Sequence, residues 1–173
     1  MSSCSANFSN DRIFPVRCGE LVINGGMEAF TGTVPTGWSS TTPTLLAEVT
    51  AAGLVHSGSS AVTLQNGAVL TQTISNIGGC RSFEFSLFAN AVGATPTVGF
   101  NASVFFITSI GNVFGGAINV PSGFVPASDV FSYYRIITSA APLNTTAARI
   151  EITANTGGAG ELLNLDDVSL SVQ

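Results

Sequence analysis

Few side chains in this chain can do covalent or acid–base chemistry. His56 is the sole histidine, so any Ser-His-Asp or Cys-His arrangement has to pass through it, and it stands in the turn-like stretch Val55-His56-Ser57-Gly58. A pair of carboxylates facing a sugar is the other route to hydrolysis, and Glu84 and Glu151 both lie on strand-like segments, but nothing in the sequence ties them together. A non-catalytic protein with no required cofactor is therefore predicted. Aromatic rings offer binding chemistry instead, because Trp and Tyr stack on the apolar faces of pyranose rings. Trp38 is the only tryptophan, and Tyr133 and Tyr134 are neighbours on one strand-like segment, so they point to opposite faces. These three form the ligand-binding set if the chain binds carbohydrate. Cys4, Cys18 and Cys80 cannot all pair within one chain, so at least one stays free or bonds another chain.

The elements that must position these groups read as strands. Period-2 alternation or β-branched enrichment recurs over 21–24, 45–50, 61–65, 68–75, 82–90, 97–108, 112–120, 132–140, 147–154 and 162–172. In Ser82-Phe83-Glu84-Phe85-Ser86-Leu87-Phe88, apolar and polar residues alternate until Phe88 breaks the pattern. Between the segments lie Gly25-Gly26, Asn66-Gly67, Gly78-Gly79, Gly115-Gly116 and Gly157-Gly158, which fit tight turns or bulges. The stretch 44–52 could make a helical turn or two, but Pro43 and Gly53 hem it in. Many short strands at regular spacing predict an all-β, two-sheet antiparallel sandwich. The apolar run ending at Asn24-Gly25-Gly26 and the terminal Leu165-Asp166-Asp167-Val168-Ser169-Leu170 bracket one domain, 21–173, and leave residues 1–20 as an extended N-terminal arm that carries two of the cysteines.

Composition narrows the function classes. With 9% charged residues, no lysine, five arginines and a formal net charge of −5, the chain lacks the basic footprint that nucleic-acid binding requires. No stretch approaches the apolar length of a membrane helix. Met1-Ser2-Ser3-Cys4-Ser5-Ala6-Asn7-Phe8 has neither a positive start nor an apolar run, so no export signal is expected.

The opening string with Pro35-Thr36-Gly37-Trp38, the His56-Ser57-Gly58 followed by Ala61-Val62-Thr63-Leu64, the Leu70-Thr71-Gln72-Thr73-Ile74 strand and the closing Leu-Asp-Asp-Val-Ser-Leu together resemble the jelly-roll carbohydrate-binding modules of bacterial xylanases. They also resemble a related domain of spore-forming bacteria that precedes tandem repeats on surface proteins. The resemblance covers about 21–172 and implies a jelly-roll topology. It implies further that Glu28 with Asp166 or Asp167 could hold a structural calcium, and that Trp38 belongs to the core. The cysteine-bearing arm is similar in architecture to that of endospore appendage fibre subunits, which implies arm docking and inter-subunit disulfides through Cys4, Cys18 and Cys80. The expectation is thus a homo-oligomeric, filament-forming structural subunit on a spore surface or extracellular appendage, with an anchoring protein as a further partner. The alternative expectation is a carbohydrate-binding module or adhesin head.

Overall fold

A computed structural model describes residues 19–93, 96–127, 129–158 and 160–173. Eleven strands follow one another: β1 Phe30–Thr31, β2 Val34–Pro35, β3 Leu46–Val49, β4 Ala61–Leu64, β5 Val69–Ser75, β6 Phe83–Val92, β7 Val98–Thr108, β8 Gly111–Val120, β9 Ser132–Ile137, β10 Thr145–Thr156 and β11 Leu162–Val172. β1 and β2 form a small hairpin; the others make a four-stranded sheet in the order β5-β10-β7-β8 and a five-stranded sheet in the order β3-β4-β11-β6-β9. All strand pairings are antiparallel. The all-β jelly-roll sandwich read from the sequence is the fold observed.

Alternation decides which residues meet between the sheets. Phe83, Phe85 and Leu87 of β6 and Leu163, Leu165 and Leu170 of β11 pack against Phe100, Val104 and Phe106 of β7 and Ile150 and Ile152 of β10, all at most 2% exposed. Burying each such side chain contributes about 1.5–3 kcal/mol, which makes this layer the principal stabilising feature. Phe88, the residue that breaks the β6 pattern, points outward and finds an aromatic partner there, as described below.

The closing strand contains a phase change that single-period reading passes over. Leu163 and Leu165 face the core, but so do Val168 and Leu170, and odd and even positions share a face only if one residue is inserted between them. The register shows it: Asp166 lies opposite Phe88 and Ser169 opposite Ser86, three residues on β11 against two on β6. Asp167 takes up the excess with a φ of 47°.

Residues 21–24 differ from expectation. Leu21 N donates to Leu170 O at 2.9 Å, but the chain then turns at Asn24, whose φ is 52°, so no strand forms. Asn24 holds the turn with its amide: Oδ1 accepts from Glu28 N and Ala29 N, and Nδ2 donates to Ala29 O and Thr36 O. The turn packs on the β11 bulge through Val168 N to Gly25 O at 2.9 Å. A Cβ at Gly25 would lie 2.0 Å from Val168 O, so only glycine fits. Glu20 also pairs with Ser171 of β11. The 44–52 stretch is a 3₁₀ turn, Pro43–Leu45, followed by β3. Cys4, Cys18 and the rest of the expected arm lie outside the described residues.

Candidate functional site

The two sheets present different outer faces. On the five-stranded sheet, the segment around His56 lies down over Phe88. Its imidazole stacks on the Phe88 ring, with centroids 3.6 Å apart and planes within 15°, and meets Phe131 edge-on at 5.3 Å. The β11 bulge fastens the segment from below. Asp166 Oδ2 accepts from His56 N at 2.9 Å and Ser57 N at 3.0 Å, Asp166 Oδ1 accepts from Asp167 N at 2.7 Å, and Asp167 pairs with His56 Nδ1 at 2.6 Å and accepts from Ser57 Oγ at 2.9 Å. Asp166 is fully buried, and burial first, with the neighbouring Asp167 charge adding to it, raises its carboxyl to about 6 against the backbone hydrogen bonds that favour ionisation.

His56, Ser57 and Asp167 are in contact, but Ser57 Oγ donates to the Asp167 carboxylate instead of to the imidazole, so the three do not line up in Ser-His-Asp order. The cluster is a latch. Glu84 and Glu151 stand on the outer faces of different sheets and cannot flank one sugar; Glu84 pairs instead with Arg135 at 3.6 Å.

The carboxylates named for a structural calcium have partners of their own. Glu28 accepts from Ser59 N, Ser59 Oγ and Ser60 N, and these bonds, the Ser59 hydroxyl first, hold its carboxyl below the usual range. Asp166 is likewise supplied by N–H donors. Calcium needs six to eight oxygen ligands, and among the described residues no group of three or more acidic, histidine or cysteine side chains could hold a metal.

Of the aromatic set, Trp38 is only 6% exposed and donates Nε1 to Asn24 O at 3.3 Å. That corrects its place in the ligand-binding set: it packs the first turn. Tyr134 faces inward against Phe100, and burial raises its phenol. Tyr133 is 51% exposed on an edge strand, beside the half-buried Phe88 on which the His56 ring stacks. Cys80 is disulfide-bonded, and Cys4 and Cys18, the other two cysteines expected to lock neighbouring subunits, lie outside the described residues.

The outer face of the four-stranded sheet holds what sequence reasoning missed. Register aligns Thr73, Arg149, Phe105 and Phe114 in one row across β5, β10, β7 and β8; the next outward row is Thr71, Glu151, Ser103 and Ala117, and the third is Val69, Thr153, Asn101 and Asn119. Strand spacings make this a patch of about 13 by 14 Å. A bulge at Gly115 creates the first row, because Val104 lies opposite Gly116 but Phe105 lies opposite Phe114. Glycine is required there, since a Cβ at Gly115 would come within 2.8 Å of the Phe106 ring. The two outward rings meet edge to face at 5.8 Å, and Phe114 is 57% exposed. Arg149 lies over Phe105 at 5.2 Å, reaches Glu151 at 3.4 Å, and keeps a buried Nε without a hydrogen-bond partner. Ser103 Oγ donates to Asn101 Oδ1 at 2.6 Å. An aromatic surface, a guanidinium, a carboxylate and two amides thus share one face, offering both apolar area and hydrogen-bonding groups. The alternation Asn101-Ser103-Phe105 was visible in the sequence; its neighbours on β8 and β10 were not.

No family model matches the chain, and no curated protein matches it. Solved structures do. A family 61 carbohydrate-binding module in complex with β-1,4-galactotriose superimposes with a TM-score of 0.66 at 16% identity, over 90% of this chain and 99% of that one. A family 16 carbohydrate-binding module gives 0.61 at 13% identity, over 87% and 98%. The enzymatically active domain of tailspike protein 4 from bacteriophage CBA120 gives 0.62 at 17% identity over 89% of this chain, which spans only 21% of that one. At such identities the likeness shows a shared jelly-roll fold. Nothing among these structures supports a spore-specific origin, a cysteine arm or self-assembly.

Proposed function

We propose that this protein is a non-catalytic carbohydrate-binding module whose ligand, a neutral oligosaccharide, lies on the outer face of the four-stranded sheet. The observation that carries the reading is the row of Phe114, Phe105 and Arg149 beside Glu151, with Asn101 and Asn119 about 13 Å further along the strands. That distance suits a few sugar units in line. Phe114 and Phe105 supply the apolar contact for a pyranose face. Arg149, restrained by Phe105 and Glu151, donates to hydroxyl oxygens at low entropic cost, while Glu151 accepts from hydroxyls and the amides serve either role. Arg149 is balanced by Glu151, which disfavours a strongly anionic ligand. The carbohydrate-binding modules that share the fold support the same reading. For a filament subunit, the other expectation, neither the described residues nor the similar structures offer support.

Isothermal titration with β-1,4-galactotriose, xylohexaose and cello-oligosaccharides tests the proposal. Phe114→Ala removes a ring that is mostly exposed, so the fold should survive while affinity falls by about 1–3 kcal/mol, by analogy with stacking of bases on aromatic platforms. Equal affinity of the variant and the parent for a bound oligosaccharide would move the site elsewhere.

A further inference from the structure

The two sheets of the sandwich end in four edge strands, β3 and β9 on one and β5 and β8 on the other. An unpaired edge is a template for a further strand, and folded proteins blunt it by shortening, covering, bending or charging it. Three of the four edges are blunted here. β5 is covered at Thr71, which exchanges two backbone hydrogen bonds of 2.8 Å with Ser39. β8 is bent by the Gly115 bulge, and Gly115 O is taken by Ser139 N at 2.8 Å. β3 has only four residues, one of them the exposed Glu48.

β9 differs. It runs for six residues, Ser132–Ile137, and pairs with β6 without a register shift. Thr138 N donates to Phe83 O at 2.9 Å. Hydrogen-bonded and non-hydrogen-bonded pairs alternate along an antiparallel ladder, so Ile136, Tyr134 and Ser132 turn their N–H and C=O groups toward β6. Tyr133, Arg135 and Ile137 therefore aim theirs at the open edge.

The same three residues carry the outward side chains. Tyr134 and Ile136 pack against the core, which leaves Tyr133, Arg135 and Ile137 on the outer face, with Tyr133 51% and Ile137 47% exposed. Phe131, just before the strand, has the same parity, and its ring meets His56 edge-on over that face. Glu84 on β6 pairs with Arg135 at 3.6 Å and accepts from the Tyr133 hydroxyl at 3.5 Å.

We infer that the open edge of β9 is an interaction surface for a second copy of this chain, the two β9 strands pairing antiparallel across a two-fold axis so that the five-stranded sheets become continuous. Backbone groups that point outward must meet each other, and two such registers overlap the strands almost fully. One sets Arg135 opposite Arg135 of the second copy, a like-charge pair that is destabilising. The other sets Tyr133 opposite Arg135 of the second copy, and symmetry makes that pair twice. There a guanidinium meets a phenol ring, with the Glu84 carboxylate beside it, and Ile137 falls beside Phe131 of the second copy. The strand is thus complementary to itself in charge and shape in one register. Such a contact is isologous, so it closes at two copies and builds no filament. It uses none of the residues proposed to bind sugar, so the two proposals fail separately.

A six-residue edge makes a small interface, so association should be weak and reversible. Sedimentation velocity of the full chain from about 1 µM to about 1 mM should show a monomer–dimer equilibrium, and amide exchange at Tyr133, Arg135 and Ile137 should slow as the concentration rises. Tyr133 is exposed on an edge strand, so its variants keep the fold and report the register. Tyr133→Arg sets like charges opposite each other twice and should weaken the dimer about tenfold, whereas Tyr133→Glu sets a carboxylate opposite Arg135 and should tighten it at low salt. Arg135→Pro removes an N–H that points away from β6, a change that edge strands tolerate, and should leave only monomer. A parent that stays monomeric over the whole range overturns the inference, as does a dimer that neither Tyr133→Arg nor Arg135→Pro weakens. Equal weakening by Tyr133→Glu and Tyr133→Arg overturns the register.

Discussion

Stability of this fold should increase as the solution is made mildly acidic, through Asp166. Its carboxyl is fully buried on the β11 bulge, and burial raises it from 3.8 to about 6. The folded state therefore holds the proton more tightly than the unfolded chain does, and the stabilisation from protonation grows as pH falls through about 6, is complete below about 3.8 and is lost as pH rises again. The gap of roughly two pH units corresponds to about 3 kcal/mol in full. Between about pH 7 and about pH 5 only part of it is realised, about 1.3 kcal/mol, or about 4 °C in Tm for a chain of this size. The assay is thermal unfolding of the parent and of Asp166→Asn across that window, reading the difference in slope, because everything else that titrates is common to both. The Asn variant cannot accept from Asp167 N with its amide nitrogen, so its absolute Tm carries no weight. Parallel profiles for the two proteins, or a parent whose excess over the variant shrinks as pH falls, would refute the argument from burial.

The other expectations concern the frame around that latch. Gly25→Ala should destabilise the domain by about 3 kcal/mol in denaturant titration, because its Cβ would collide with the Val168 carbonyl; a change below 1 kcal/mol would mean that the bulge yields easily. Chelator should leave the melting curve unchanged, since N–H and hydroxyl donors supply Glu28 and Asp166, and a clear fall in Tm would restore calcium to the turn. Reductant should lower Tm, because it opens the Cys80 disulfide, and an unchanged melting curve would mean that the bond contributes nothing to the fold.

Most strands were legible because each alternates apolar and polar residues between glycine-rich breaks, and the sandwich follows from their number. The bulge in β11 was legible too, in the switch from Leu163 and Leu165 to Val168 and Leu170, but only a reader tracking parity would find it. The 21–24 segment misleads because Leu-Val-Ile looks like a strand, whereas Gly25 and Asn24 commit the chain to a turn. His56 and the two aspartates are separated by more than a hundred residues, and no local pattern joins them. The aromatic patch was hidden for the same reason: Phe105, Phe114 and Arg149 become one row only when β7 pairs with both neighbours and Gly115 shifts the register. Trp38 drew attention by rarity, whereas nothing local marks Phe114 as a ring that faces solvent.

The central claim is that the outer face of the four-stranded sheet binds sugar, and a footprint tests it most directly. Amide and side-chain shifts of the isotope-labelled protein, followed during titration with β-1,4-galactotriose and xylohexaose, should move at Asn101, Ser103, Phe105, Phe114, Asn119, Arg149 and Glu151 and stay still around His56, Phe88 and Tyr133. Saturable shifts confined to the Phe88 and Tyr133 side, or none at the seven residues of the patch, would contradict it.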